Sequence, residues 1–430
     1  MRRRRKKLPE GLKQLQRLRR EGTDLVEARC DYVEACGGCT WQEVRYERQL
    51  ELKRAQVIDA LQAAGLLDSA ADGGAGVEVA PTLPSPEVFG YRNKMEFTCS
   101  DRRFLTGREI SSGADLRRDF ALGLFGPNTH YKVIDVAGCP LQTDAANRML
   151  AATRAWALER GHPPWRADQQ TGLLRYLVLR HARATGQTLA LLVTGRRDPA
   201  LMQDYADWLA AAGAVPTVVA NGVIDSPRHA HTGMEVFVDR GPACFEDELC
   251  GLRFRLAPDA FFQVNPLGAE RLVEVVLAQA GLEGDERVAD LYCGAGTLSL
   301  PLAQRAREVM GYEVAAPSIE SARENAALNG ISNARFAVAD LNRGLPRELL
   351  EAGADVVVTD PPRPGMHPRV LRDLLRLGAR RIVSVGCKPG PQAENLAALC
   401  AEGYRLVRVQ PLDLFPHAPH VEAVALLQRR

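Results

Sequence analysis

The sequence predicts an α/β protein. Its C-terminal part is a mostly parallel sheet with helices on both faces, preceded by an α+β domain and a cysteine-bearing segment. Three observations carry this. From about residue 266 strand-like and helix-like runs alternate strictly, the pattern of a parallel sheet built from crossover units. The glycine-rich run Asp290-Leu-Tyr-Cys-Gly294-Ala-Gly296 joins the first of these strands to a helix, and glycines there let a ligand approach a helix N-terminus. Residues 88–256 mix short strands and helices without that rhythm. A length of 430 residues accommodates two or three domains.

Residues 1–29 read as a basic tail with helical character at Leu12, Leu15 and Leu18. The first twenty residues hold ten Lys/Arg against Glu10, a charge of +9, while the rest of the chain carries −7. A basic tail on a mildly acidic body points to a polyanion such as nucleic acid, with a solvated extension as the plainer alternative. Residues 30–87 hold Cys30, Cys36 and Cys39, then an amphipathic helix over 43–64 with Leu50, Arg54, Val57, Ile58 and Leu61 at helical spacing, then a Gly/Pro-rich linker over 70–86. Within the central α+β domain, 88–256, the runs 173–180 and 188–194 read as paired strands around a turn at Ala184-Thr-Gly186.

The final domain, 257–430, is predicted to place strands at 287–292, 308–313, 334–339, 355–359 and 381–385. Helices are expected at 266–280, 297–307, 316–328, 346–351, 367–377 and 391–402, and two last segments, 404–409 and 421–427, as an antiparallel pair at one sheet edge. No apolar run approaches the ~18 residues of a membrane span. The start has no apolar stretch behind its basic residues, so no secretory signal is expected and the compartment reads as a reducing cytoplasm. Ten cysteines are too few for a disulfide scaffold in a chain this long, and three clustered ones point to a metal or to catalysis.

Ligand-type residues fall at successive strand ends. Glu313 closes the second strand, where an acid accepts ribose hydroxyls. Asp340 closes the third, placed to meet an adenine amino group. The fourth ends in Asp360-Pro-Pro-Arg363, and Pro-Pro fixes a loop rigidly. Taken singly, each is an ordinary turn glycine or surface acid. As a series at one sheet edge they resemble class I S-adenosylmethionine-dependent methyltransferases, whose Rossmann-like sheet they imply. A nicotinamide enzyme fits less well, because Ser299 stands where the dinucleotide pattern wants a small residue. The fifth strand ends in Cys387-Lys388-Pro389 before a helix N-terminus. Both the lysine and the helix are expected to favour thiolate. Glu422 begins the last strand after Asp413-Leu-Phe-Pro-His417-Ala-Pro-His420.

Gln263 in Phe261-Phe-Gln-Val-Asn265-Pro, Asp290–Gly296, Asp360–Arg363, Cys387-Lys-Pro and His420-Val-Glu422 occur in the order found in RNA uracil-C5 methyltransferases. Tyr91-Arg-Asn-Lys-Met-Glu96 resembles a central motif of that family. The cluster C-x5-C-G-G-C-x-x-Q resembles its iron–sulfur members acting on 23S ribosomal RNA. The resemblance implies Cys387 as nucleophile and Glu422 as proton acceptor. It also implies Gln263, Tyr292, Thr297, Glu313, Asp340 and Asp360 around S-adenosylmethionine. It places Cys139 beside Cys30, Cys36 and Cys39 as the fourth ligand of a [4Fe–4S] cluster, with Cys99 the runner-up. Two departures stand out. The chain reads Gly386-Cys387-Lys388-Pro389 where relatives often read Ser-Cys-Asn-Pro, and the 29 residues before Cys30 are too short for the RNA-binding TRAM barrel of many iron–sulfur members.

The implied substrate is a uridine in 23S rRNA, with tRNA as the alternative target. A non-catalytic iron–sulfur RNA-binding protein is the reading from another class. A monomer is expected, with no membrane partner. The target base must leave its stack to be methylated; Phe262 and Tyr292 are candidates to stack on it, with a core role as the plainer alternative for either.

Overall fold

A computed structural model describes residues 10–67, 77–129, 131–166, 169–224 and 233–430. The chain forms two compact units. One takes residues 1–45, 87–247 and 256–259; the other takes 46–86, 248–255 and 260–430. The helix expected to belong with the cysteine segment thus lies in the second unit.

In the first unit, residues 10–21 of the basic tail form a packed helix. Leu15 and Leu18 are buried, and the Gly11 carbonyl accepts the Trp41 indole N–H at 2.9 Å. Six of the ten cations counted in the tail lie in residues 1–9, outside the described residues. The sheet of this unit runs Arg103–Phe104, Val133–Asp135, Ala121–Phe125, Lys94–Ser100, Leu174–His181, Thr188–Thr194, Val218–Val223, Glu235–Arg240. The pair expected around Ala184-Thr-Gly186 is present and antiparallel. Helices Asp144–Glu159 and Pro199–Ala211 pack together, with Trp156 Nε1 donating to Asp204 at 2.8 Å and Trp208 Nε1 to the Ala152 carbonyl at 3.0 Å.

In the second unit the sheet order is Glu78–Val79, Tyr404–Leu412, Glu422–Arg429, Arg381–Gly386, Val356–Thr359, Arg287–Leu291, Glu308–Glu313, Ala334–Val338. Only Glu422–Arg429 runs against its neighbours among these described strands. Two expectations change in part. The terminal segments do form the expected antiparallel pair, with Glu422–Arg429 against Arg381–Gly386, but residues Glu78–Val79 add a parallel strand outside it on Tyr404–Leu412. The helix expected over 297–307 is the short Ser299–Ala303. Helix Tyr46–Ala63 buries Gln49, Lys53, Val57 and Leu61 along one stripe. Burying Val57 and Leu61 contributes about 1.5–3 kcal/mol each; the polar pair in the same stripe bonds residues 413–417, Lys53 to Asp413 and Gln49 to His417.

The strand order reverses beside Arg287–Leu291, which pairs with Glu308–Glu313 on one side and Val356–Thr359 on the other. In open α/β sheets ligands bind at this crevice, outside the carboxyl ends of the strands.

Candidate active site

A cavity of about 700 Å³ opens there. It is lined by Gln263, Tyr292, Thr297, Glu313, Asp340, Asp360, Cys387 and Glu422. The structure therefore brings together every non-metal site residue that the sequence singled out. Phe261, Asp290, Arg363, Phe415 and His420 line the same space.

Local sequence explains the placement. Asn265 caps helix Pro266–Ala280 by accepting the Gly268 N–H at 3.0 Å, and its amide donates to Ser85 Oγ and the Leu414 carbonyl, each at 3.0 Å. Gln263 is thereby held two residues ahead of a fixed cap. After strand Arg287–Leu291, Tyr292 adopts a left-handed φ of +68°, strain of order 1–3 kcal/mol for a non-glycine residue, and its N–H bonds the Tyr312 carbonyl at 2.8 Å. Asp290 is fully buried. One oxygen accepts Ser299 Oγ at 2.5 Å, and the other has no hydrogen-bond partner. Burial, followed by Asp360 and Glu313, pushes its carboxyl up to about 7. Glu313 Oε1 accepts the N–H groups of Val314 and Ala315 at 2.8 and 3.0 Å, so its carboxylate is fixed at the strand end. Asp340 likewise caps the turn Leu341–Arg343.

The reacting end of the cavity is acidic. Glu422 is buried, and burial, then Asp360, raises its carboxyl well above the ordinary range while Arg363 opposes. Burial holds Asp360 up at about 6. The Cys387 thiol is also raised, by burial first and then by Glu422 and Asp360, with Arg363 acting the other way. This corrects the expectation of a thiolate favoured by Lys388. Lys388 is the N-cap of helix Pro389–Ala401, and the cation acting on the thiol is Arg363, from the neighbouring loop. The sequence shows Arg363 only as the fourth residue of the Asp-Pro-Pro-Arg turn, a hint given no role.

Gln392 ties the two reacting strands together. Its amide donates to the carbonyls of Ser384 and Ala423, both at 2.9 Å. A Cβ at Gly386 would stand 2.7–3.0 Å from the Gln392 side chain. Glycine there leaves room for this clamp.

Of the two aromatic candidates, one is core and one lines the cavity. Phe262 is 2% exposed and packs on Phe254 at 5.5 Å between ring centroids, as core. Phe261 is 74% exposed and lines the cavity. Tyr292 also lines the cavity.

Comparison with known proteins gives the family. The family model for tRNA (uracil-5-)-methyltransferase matches residues 250–430. An uncharacterized RNA methyltransferase of Chlorobaculum tepidum is 38% identical over 94% of this chain and 84% of its own. One from Caldanaerobacter subterraneus is 36% identical over 94% and 85%. The chain belongs to the RNA uracil-C5 methyltransferase family. As a member it is an S-adenosylmethionine-dependent RNA methyltransferase. The crystal structure of Pyrococcus abyssi tRNA (uracil-54, C5)-methyltransferase with S-adenosyl-L-homocysteine superposes with a TM-score of 0.69 at 29% identity, covering 91% of this chain and 85% of that one. Among the described residues no helix is long and apolar enough to cross a membrane.

The cysteine segment lies in the first unit. Cys30 N–H bonds Gln42 Oε1 at 2.7 Å, Gly37 N–H bonds the Phe125 carbonyl at 2.9 Å, and Gly38 N–H points to Cys36 Sγ at 3.4 Å. Burial raises all four thiols, Cys36 to about 11. For Cys36 the Gly38 N–H opposes burial, and Cys139 and Cys30 add to it; for Cys39 the additions come from Cys139, Cys36 and Cys30, so the four are electrostatic neighbours. Cys99, fully buried, responds instead to Arg154. Among the described residues no group of three or more His, Cys, Asp or Glu is arranged to hold a metal ion.

Proposed function

We propose that this methyltransferase acts on C5 of a uridine in structured RNA through a covalent bond between Cys387 and C6. The observation that carries it is the single cavity in which Cys387, Glu422 and Asp360 meet the cofactor-type series from Gln263 to Asp340. Uracil C5 is a weak nucleophile. Cys387, once deprotonated, adds to C6; the C6–S bond forms and the C5=C6 pair moves into an enolate whose C5 is nucleophilic. S-adenosylmethionine supplies the electrophilic methyl group that C5 takes. Glu422 then accepts the C5 proton, C5=C6 re-forms and the C6–S bond breaks, releasing Cys387. Phe261 offers an exposed face on which a base turned out of its stack can rest. Gln263, Tyr292, Thr297, Glu313, Asp340 and Asp360 would hold the cofactor, with Asp290 and its orphaned buried oxygen beside them.

The target is 23S rRNA in the reading supported by the cysteine pattern. A tRNA uridine is the second reading, supported by the likeness to the Pyrococcus abyssi tRNA enzyme across 91% of the chain. Mapping 5-methyluridine in a deletion strain separates them. Loss from 23S rRNA supports the first, loss confined to tRNA supports the second, and loss from neither overturns the activity.

Cys30, Cys36, Cys39 and Cys139 would hold a [4Fe–4S] cluster, which would tie the segment 30–39 to the turn at Cys139. What supports this reading is the donor chemistry: four thiols, burial-raised and acting on one another electrostatically, one of them already accepting an N–H. Protein purified without oxygen is expected to be brown with about four irons. Cys139→Ser should lose the iron and Cys99→Ser should keep it; one zinc and no iron would refute the cluster.

A further inference from the structure

We propose that Lys53, on helix Tyr46–Ala63, is a positioning residue for the base: with Asp413 it sets the loop that delivers Glu422. The proposal rests on the reading of Glu422 as the proton acceptor.

The nine residues 413–421 join strands Tyr404–Leu412 and Glu422–Arg429. Their backbone groups are held from the side by helix Tyr46–Ala63. Lys53 Nζ ion-pairs with Asp413 Oδ1 and donates to the Phe415 carbonyl at 3.0 Å. Both charged side chains are fully buried. Asp413 Oδ1 also accepts the Phe415 N–H at 3.0 Å, and Oδ2 accepts Tyr46 OH at 2.9 Å. One turn along, Gln49 brackets His417. Its Oε1 accepts the His417 N–H at 2.8 Å, and its Nε2 lies 3.3 Å from His417 Nδ1. His417 itself sits at φ +67°. Gln56 Nε2 donates to the Pro419 carbonyl at 3.3 Å. The residues this loop presents to the cavity are Phe415, His420 and, at its end, Glu422. Phe415 and His420 meet edge-on at 6.0 Å.

Stability alone is a poor reason for such a pair. A buried ion pair loses much of its Coulomb gain to desolvation, and apolar replacements of similar volume are often as stable. What the pair supplies is direction. Their arrangement satisfies Tyr46, Phe415 N–H and the Phe415 carbonyl together, and it holds the start of the loop that re-enters the sheet at Glu422. A shift of about 1 Å in a reacting group costs on the order of 100-fold in rate.

The experiment compares native enzyme, Lys53→Met, Lys53→Met/Asp413→Leu and Glu422→Gln, using an RNA substrate and methyl-labelled cofactor. Removing both charges spares the fold the unpaired carboxylate that Lys53→Met leaves, so the double variant decides the question if the single one does not fold. Expected for the folded variants is a kcat lowered roughly 10- to 100-fold, KM for RNA changed less than about twofold, and labelled RNA–protein adduct accumulating on denaturing gels as it does with Glu422→Gln. Native turnover without adduct in the double variant would refute the positioning role. So would loss of adduct formation in step with turnover, since that marks damage to the whole site. If Glu422→Gln itself turns over without stalling, the base assignment fails, and the proposal with it; that control separates the two failures.

Discussion

Cys387→Ala is expected to abolish methyl transfer and any covalent link to RNA together. Removing the nucleophile from an enzyme that works through a covalent intermediate costs on the scale of a millionfold in turnover. No second group in the cavity replaces it: Cys293, the other thiol lining it, is held far on the protonated side by burial and by Asp290 and Glu313. The test is a denaturing gel with labelled RNA, alongside a methylation assay. Persistence of a shifted band in Cys387→Ala would mean that the nucleophile is misassigned. The native enzyme adds a pH signature. Burial and two carboxyl groups raise the Cys387 thiol, so thiolate, and with it the rate of adduct formation, should increase as pH rises. A rate independent of pH from neutral to alkaline conditions would contradict that order of events.

Which parts of this were legible in the sequence follows from what is local. Strand-helix alternation is a local pattern, and in a parallel sheet it fixes which strand ends share an edge. Glu313, Asp340, Asp360 and Cys387 could therefore be placed on one crevice before their distances were known. Pairing between distant segments has no such signature. Nothing local tells that Glu422–Arg429 inserts next to Arg381–Gly386, or that Glu78–Val79, within a Gly/Pro-rich stretch, closes the edge. The same limit explains the thiol. Lys388 is its neighbour in sequence, whereas Glu422, Asp360 and Arg363 are its neighbours in space. Helix Tyr46–Ala63 shows a further limit. Apolar spacing treats polar positions as solvent-facing, yet Gln49 and Lys53 lie in the buried stripe because their partners come from residues 413–417.

Glu422→Gln should separate the two halves of the reaction. Thiolate addition and methyl transfer precede the removal of the C5 proton, so neither needs the carboxylate. Glutamine keeps the shape but cannot accept a proton. The variant is expected to transfer one methyl group per enzyme and then stall, still bonded to RNA through Cys387. The gel would show a shifted band that carries the methyl label, with turnover reduced by roughly 100- to 10,000-fold, the usual worth of a positioned base. The electrostatics add a second expectation. Glu422 is one of the groups that raise the Cys387 thiol. Replacing a titratable carboxyl with an uncharged amide removes that contribution, so adduct formation in Glu422→Gln should proceed at lower pH than in the native enzyme. Normal turnover in this variant would assign the base elsewhere. Asp360 is the next carboxyl to test, since it lines the same cavity and desolvation raises it to about 6. An adduct without label would instead place Glu422 before methyl transfer, in positioning the base rather than in removing its proton.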